Sequence, residues 1–121
     1  MNPGDTFRFS IVEPHLWVVV SVGNPDVVIA NFSTKNHGKA LPVFGPRDCD
    51  GLSRTSFLRC DKAILLDHSS LLRLVASGHV RVSRPLPAAT LKAIQLALTA
   101  SPDTPNQVKT IVQAFIAPTA P

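Results

Sequence analysis

Apolar and polar residues alternate from Thr6 onward, with Phe7, Phe9 and Ile11 on one side and Thr6, Arg8 and Ser10 on the other. A period of two predicts a half-buried strand over Thr6–Val12. From His15 to Val22 the chain is nearly all apolar, which predicts a central strand covered on both faces. Gly, Asn and Pro at 23–25 supply a turn, and VVIANFST (27–34) makes a third strand. The polar loop KNHGK (35–39) leads to a short fourth strand, ALPVFG (40–45), whose Pro42 argues for an edge or a bulge. PRDCDG (46–51) is a turn-rich connection, and RTSFLRCDKAILL (54–66) resumes as one or two strands.

The period then changes. DHSSLLRLVASG (67–78) begins with candidate N-caps and ends at Gly78, the pattern of a short helix. HVRVSRP (79–85) predicts a last short strand. Leu91, Ile94 and Leu98 recur at helical spacing and predict an amphipathic helix over 87–100. SPDTP (101–105) breaks it. Thr104, Pro105 and Gln107 then form a capping-box pattern for a final helix striped by Val108, Ile111, Val112 and Phe115. Strands this short are stabilised by closing on one another or by packing on helices. The expected fold is therefore mainly β with C-terminal helices. It is a small barrel over 3–86 with a short inserted helix, followed by a helical segment over 87–116, all within one domain of 121 residues.

Composition changes this picture little. Apolar residues make up 45% and charged residues 17%, ordinary values for a globular domain. No apolar run approaches the roughly 20 residues that span a bilayer, and the start does not read as a signal peptide, so a cytoplasmic location is expected. Cys49 and Cys60 fit neither a metal spacing nor a disulfide framework and read as reduced structural thiols. No metal or cofactor is expected. The formal charge of +4 suits a polyanion such as RNA, or an acidic protein.

The order of motifs resembles the MazF/PemK-like toxins of bacterial toxin–antitoxin systems. The shared features are the Gly4-Asp5 start, a second strand ending in VVVS and a third ending in ST. GLSRTSFLRCDKAILLD (51–67) and a helix after a Gly-containing turn complete the pattern, which spans roughly 3 to 100. The resemblance implies an SH3-like barrel of MazF/PemK type, a homodimer, and neutralisation by a cognate antitoxin protein. It also implies metal-independent cleavage of single-stranded RNA, by an Arg in the first loop and a Ser or Thr ending the third strand. On that basis Thr34, with Ser33 as the adjacent alternative, is the catalytic candidate; the same pair also reads as a strand end bonding its own turn.

The first loop departs from the family pattern. It is short, and no Arg lies between Arg8 and Arg47. Glu13 and His15 occupy the place of the missing Arg. A carboxylate and an imidazole beside a hydroxyl are suited to acid–base work, while Glu13-Pro14 also reads as a plain tight turn. Lys35, Lys39, Arg54 and Arg59 are the candidate RNA-binding residues, the arginines having surface pairing with Asp48, Asp50 and Asp61 as their other reading. Trp17, inside an apolar run, reads as core or a dimer contact. The alternative function is a catalytically inactive barrel that binds protein or RNA.

Overall fold

The computed structural model describes residues 1–10, 15–35 and 42–117. Strands β1 (Thr6–Phe9), β2 (Trp17–Val22), β3 (Asp26–Ser33), β4 (Val43–Phe44), β5 (Ser56–Leu58), β6 (Ile64–Asp67) and β7 (Val80–Ser83) form one antiparallel sheet. Helix α1 (His68–Ala76) joins β6 to β7, while α2 (Ala88–Ala100) and α3 (Asn106–Ile116) close the chain. The protein is thus mainly β with C-terminal helices. The strand order is β4-β5-β3-β2-β1-β7, with β6 added to β3. Among the described residues the sheet is open, ending at β4 and β7, so its strands are stabilised by helices on its faces rather than by closure.

β3 organises the sheet. Val27–Asn31 pair with β2, and its other edge is shared: Asp26–Ile29 take β6, and Phe32 and Ser33 take β5. A single 3₁₀ turn, Cys60–Lys62, carries the chain between those two partners. Pro42 stands just before β4, an edge strand, where its missing N–H costs no ladder bond.

β2 is covered on both faces, as its unbroken apolar run predicts. Leu16, Val18 and Val20 pack with Phe32, Leu58, Ile94, Leu98, Val108 and Val112 beneath α2 and α3. Trp17 and Val19 point the other way, toward Phe7, Val27, Ile29, Val80 and Leu71 of α1. Trp17 is therefore core, near-parallel to the Phe7 ring at 6.5 Å and edge-on to Phe9 at 5.9 Å.

The β2–β3 register skips Val20: Val19 faces Ile29, and Ser21 faces Val28. A bulge of this kind removes one residue from the ladder. The buried Gln95 of α2 donates from Nε2 to the Val20 carbonyl at 2.9 Å and satisfies it. Gln95→Leu keeps the volume and removes that donor. It is expected to destabilise the fold by about 1–3 kcal/mol, read as a lower urea midpoint at unchanged slope.

Two helix starts differ in chemistry. Asp67 caps α1, accepting from Ser70 N at 3.0 Å as well as from the Ser69 and Ser70 hydroxyls, which hold its carboxyl below the usual carboxylate range. The capping box expected at Thr104 does not form. α3 begins one residue later, with Pro105 as its cap and no side-chain cap bond. Thr104 instead turns inward and is buried beside Cys60.

Cys49 and Cys60 are free and buried. Burial raises both thiol pKa values, against backbone hydrogen bonds from Gly51 and Leu52 at Cys49 and the Ser101 and Thr104 hydroxyls at Cys60. A thiol whose folded pKa is raised costs no stability below its unfolded value, about 8.5, and costs stability as pH rises beyond it. The native chain is therefore expected to resist iodoacetamide near neutral pH, to react once unfolded, and to lose stability above about pH 8.5. A Cys-to-Ala variant at both positions should lose that alkaline decline.

Among the described residues no helix is long and apolar enough to cross a membrane.

Candidate functional site

Strand parity decides which polar groups meet. Thr6 faces Val18 and Phe7 faces Trp17 across β1 and β2. The same register sets Arg8 alongside Leu16. Leu16 O in turn accepts from Phe32 N at 3.0 Å. Arg8, Leu16 and Phe32 thus form one row across three strands, on a single face of the sheet. Thr34 lies two residues beyond Phe32 and returns to that face.

The opposite wall is the loop between β4 and β5. Cys49 and Leu52 are buried anchors, and Thr90 of α2 donates to Asp48 O at 2.8 Å. Asp48 also closes its own turn, accepting from Gly45 N at 2.8 Å. Gly51 comes down directly on Leu16: a Cβ there would lie 2.6 Å from Leu16 Cδ2. Any larger residue would force the buried Leu16 side chain to move. The Gly51 carbonyl then receives Arg8 Nη2 at 2.7 Å, tying strand to loop.

Between these walls is a cavity of about 230 Å³, lined by Arg8, His15, Thr34, Ser53, Arg54 and Ser56 over a floor that includes Leu16 and Phe32. Ser56 is buried and donates to Arg54 O at 3.0 Å, fixing the bend that presents Arg54. Two guanidiniums, an imidazole and three hydroxyls therefore converge on an apolar floor. Guanidiniums present forked donors that match phosphate oxygens, and hydroxyls add single donors. An imidazole both accepts and donates a proton.

The candidates from sequence divide accordingly. His15, Thr34 and Arg54 meet in the cavity. Ser33 points to the other side of the strand: it is buried, and its Oγ accepts from Lys35 N at 3.2 Å, the local turn bond of a strand end. Lys35 is exposed beside Thr34. Arg59 lies outside the cavity. It is buried and held by Asp61 through Nε at 2.8 Å and Nη2 at 2.7 Å, which raises its pKa further. The surface-pairing reading thus applies to Arg59, in a partly buried form. Glu13, Lys39 and the loop histidine His37 lie outside the described residues.

Arg8 is the functional candidate that sequence reasoning missed. The family pattern directs attention to the first loop, whereas here the guanidinium comes from β1 itself. The signal was present in the alternation, which sets Arg8 opposite Phe7 and Phe9. Which structure that polar face would meet depended on the cross-strand register.

Among the described residues, no three His, Cys, Asp or Glu side chains are grouped to hold a metal ion. The site defines a cationic, hydroxyl-lined cavity on an antiparallel sheet. The chain matches no protein-family model, no curated protein and no solved structure.

Proposed function

We propose that this chain is a toxin-like, metal-independent endoribonuclease that cleaves single-stranded RNA in the cytoplasm, acts as a homodimer and is neutralised by a cognate antitoxin. The observation that carries this reading is the convergence of Arg8, Arg54, His15 and Thr34 on one cavity. The shared strand β3, flanked by β5 at one end and β6 at the other, supports an SH3-like arrangement of MazF/PemK type.

The chemistry needs only the RNA and these side chains. The ribose 2′-oxygen attacks the adjacent phosphorus, the new P–O bond forms, and the bond to the 5′-oxygen breaks. The products are a 2′,3′-cyclic phosphate and a 5′-hydroxyl. His15 is the group suited to take the proton from the 2′-hydroxyl, and that proton passes from the imidazolium, through a water molecule, to the departing 5′-oxygen. Arg8 and Arg54 stabilise charge on the non-bridging oxygens, and Thr34 donates one further hydrogen bond. Single strands suit the site because unpaired bases can be splayed away from the phosphate.

The test is inducible expression in a bacterial host, with growth and new RNA 5′ ends followed together. Growth arrest with discrete cuts is expected. His15→Ala and Thr34→Ala should each relieve arrest while the purified proteins stay folded. Full toxicity in both variants would overturn the residue assignment. Intact RNA with folded wild-type protein would leave the alternative reading, a catalytically inactive barrel that binds protein or RNA.

A further inference from the structure

A second groove opens beside the cavity and shares Gly51 with it; Asp50, Ser83 and Arg84 complete its lining. The β1–β7 register sets a further basic residue, Arg81, on the same side of the sheet, outside the groove's own lining. Arg81 stands directly opposite Arg8, and Ser83 opposite Thr6, so Arg81 and Ser83 lie on the cavity's face of the sheet. Like charges directly opposite each other on adjacent strands are unfavourable. Arg81 is exposed, and no hydrogen bond or ion pair joins it to the described residues. Arg84 reaches Asp50 at 3.3 Å, with the two side chains 83% and 69% exposed. Such an exposed pair is a weak tether that a stronger anion displaces.

We propose that this groove is a second phosphate subsite. Arg84 and Arg81 hold the backbone phosphate of a nucleotide neighbouring the one cut, Ser83 adds a hydroxyl, and Asp50 competes with that phosphate for Arg84. The proposal rests on the RNA reading of the adjoining cavity. It adds the direction of the strand, which passes from Thr34 and Arg54 over Gly51 toward β7.

The experiment is fluorescence anisotropy with a mixed-sequence 2′-O-methyl decanucleotide, which cannot be cut by internal attack, titrated across a salt series. Arg84→Ala is expected to weaken binding about tenfold or somewhat more, the lower end of the range for losing a charged hydrogen bond. It should also reduce the salt slope by about 0.7, the increment for one phosphate contact on a single strand. Asp50→Asn is expected to act oppositely, tightening binding by up to about fivefold. The Arg84→Ala loss should shrink on a dinucleotide too short to reach the groove. Unchanged affinity and slope in Arg84→Ala would overturn the subsite, and the ribonuclease reading would still stand if the wild type cuts RNA. No wild-type binding to the decanucleotide at low salt would overturn the subsite, and intact RNA in the expression test beside it would overturn both. The Arg84 side chain is too exposed for its loss to threaten the fold, and the opposite sign expected for Asp50→Asn separates a binding effect from general damage.

Discussion

Arg8→Ala is expected to lower the rate of RNA cleavage by about 10²–10³, the usual cost of removing one preorganised donor from a developing oxyanion. Two features give Arg8 this weight. It is the guanidinium supplied by the sheet itself, held in the cross-strand row with Leu16 and Phe32, and its Nη2 is already fixed on Gly51 O at 2.7 Å. A donor positioned before substrate arrives needs little reorganisation in the transition state. Arg8→Lys keeps the charge but loses the planar fork that can hold Gly51 O and a phosphate oxygen at once. It should recover little activity. Single-turnover cleavage of a cut-site RNA checks this, beside thermal melts that exclude unfolding. Activity within a few-fold of wild type in a folded Arg8→Ala protein would remove Arg8 from the site and return attention to the first loop.

Phe7→Ala is expected to be the most damaging core substitution, at about 3–5 kcal/mol. Phe7 is fully buried and sits edge-on to Phe9 at 5.6 Å while lying near-parallel to Trp17. Its ring fills the space between β1 and the α1 face of the sheet, where Leu71 and Val80 also converge. Truncation leaves a cavity walled by rigid aromatic groups, which collapse poorly. For a domain of this size the loss should lower the melting temperature by roughly 10–20 °C. Because total stability is typically only about 5–15 kcal/mol, a good part of the chain is expected to be unfolded at 37 °C. Phe7→Leu, which refills most of the volume, should recover much of the loss. A shift of only a few degrees in Phe7→Ala would mean that α1 can close onto the sheet.

These two neighbours in sequence act on opposite faces of one strand, and the same alternation accounts for both. Much of the fold was legible for this reason. The period-two pattern of Thr6 to Phe9 defines β1, the unbroken apolar run defines the doubly covered β2, and helical spacing defines α2 and α3. The Asp67 cap was legible too, since its carboxylate acts within one turn. The Thr104 cap was not: a buried position beside Cys60 competes for that side chain, and tertiary burial outweighs a local capping bond.

The candidate site was half legible. Thr34 was singled out by the family resemblance, His15 as an acid–base group and Arg54 as a phosphate-binding cation. Thr34 was ranked ahead of Ser33 by the family resemblance alone; adjacent residues on a strand face opposite sides, and only the β2–β3 register says which side holds the cavity. Sequence could not separate Arg54 from Arg59. Both are arginines among aspartates; one ends on the loop facing Thr34, and the other is claimed by Asp61 two residues away.

What the sequence by itself determined is the set of elements, their order and the chemical character of each face, because these follow from local periodicity and turn chemistry. What only the tertiary structure decided is which faces meet. The recruitment of Arg8, the close approach of Gly51 to Leu16, the rescue of the Val20 carbonyl by Gln95 and the pairing of Arg81 with Arg8 all depend on contacts between distant segments. Register and packing fix such contacts, and no local pattern carries them.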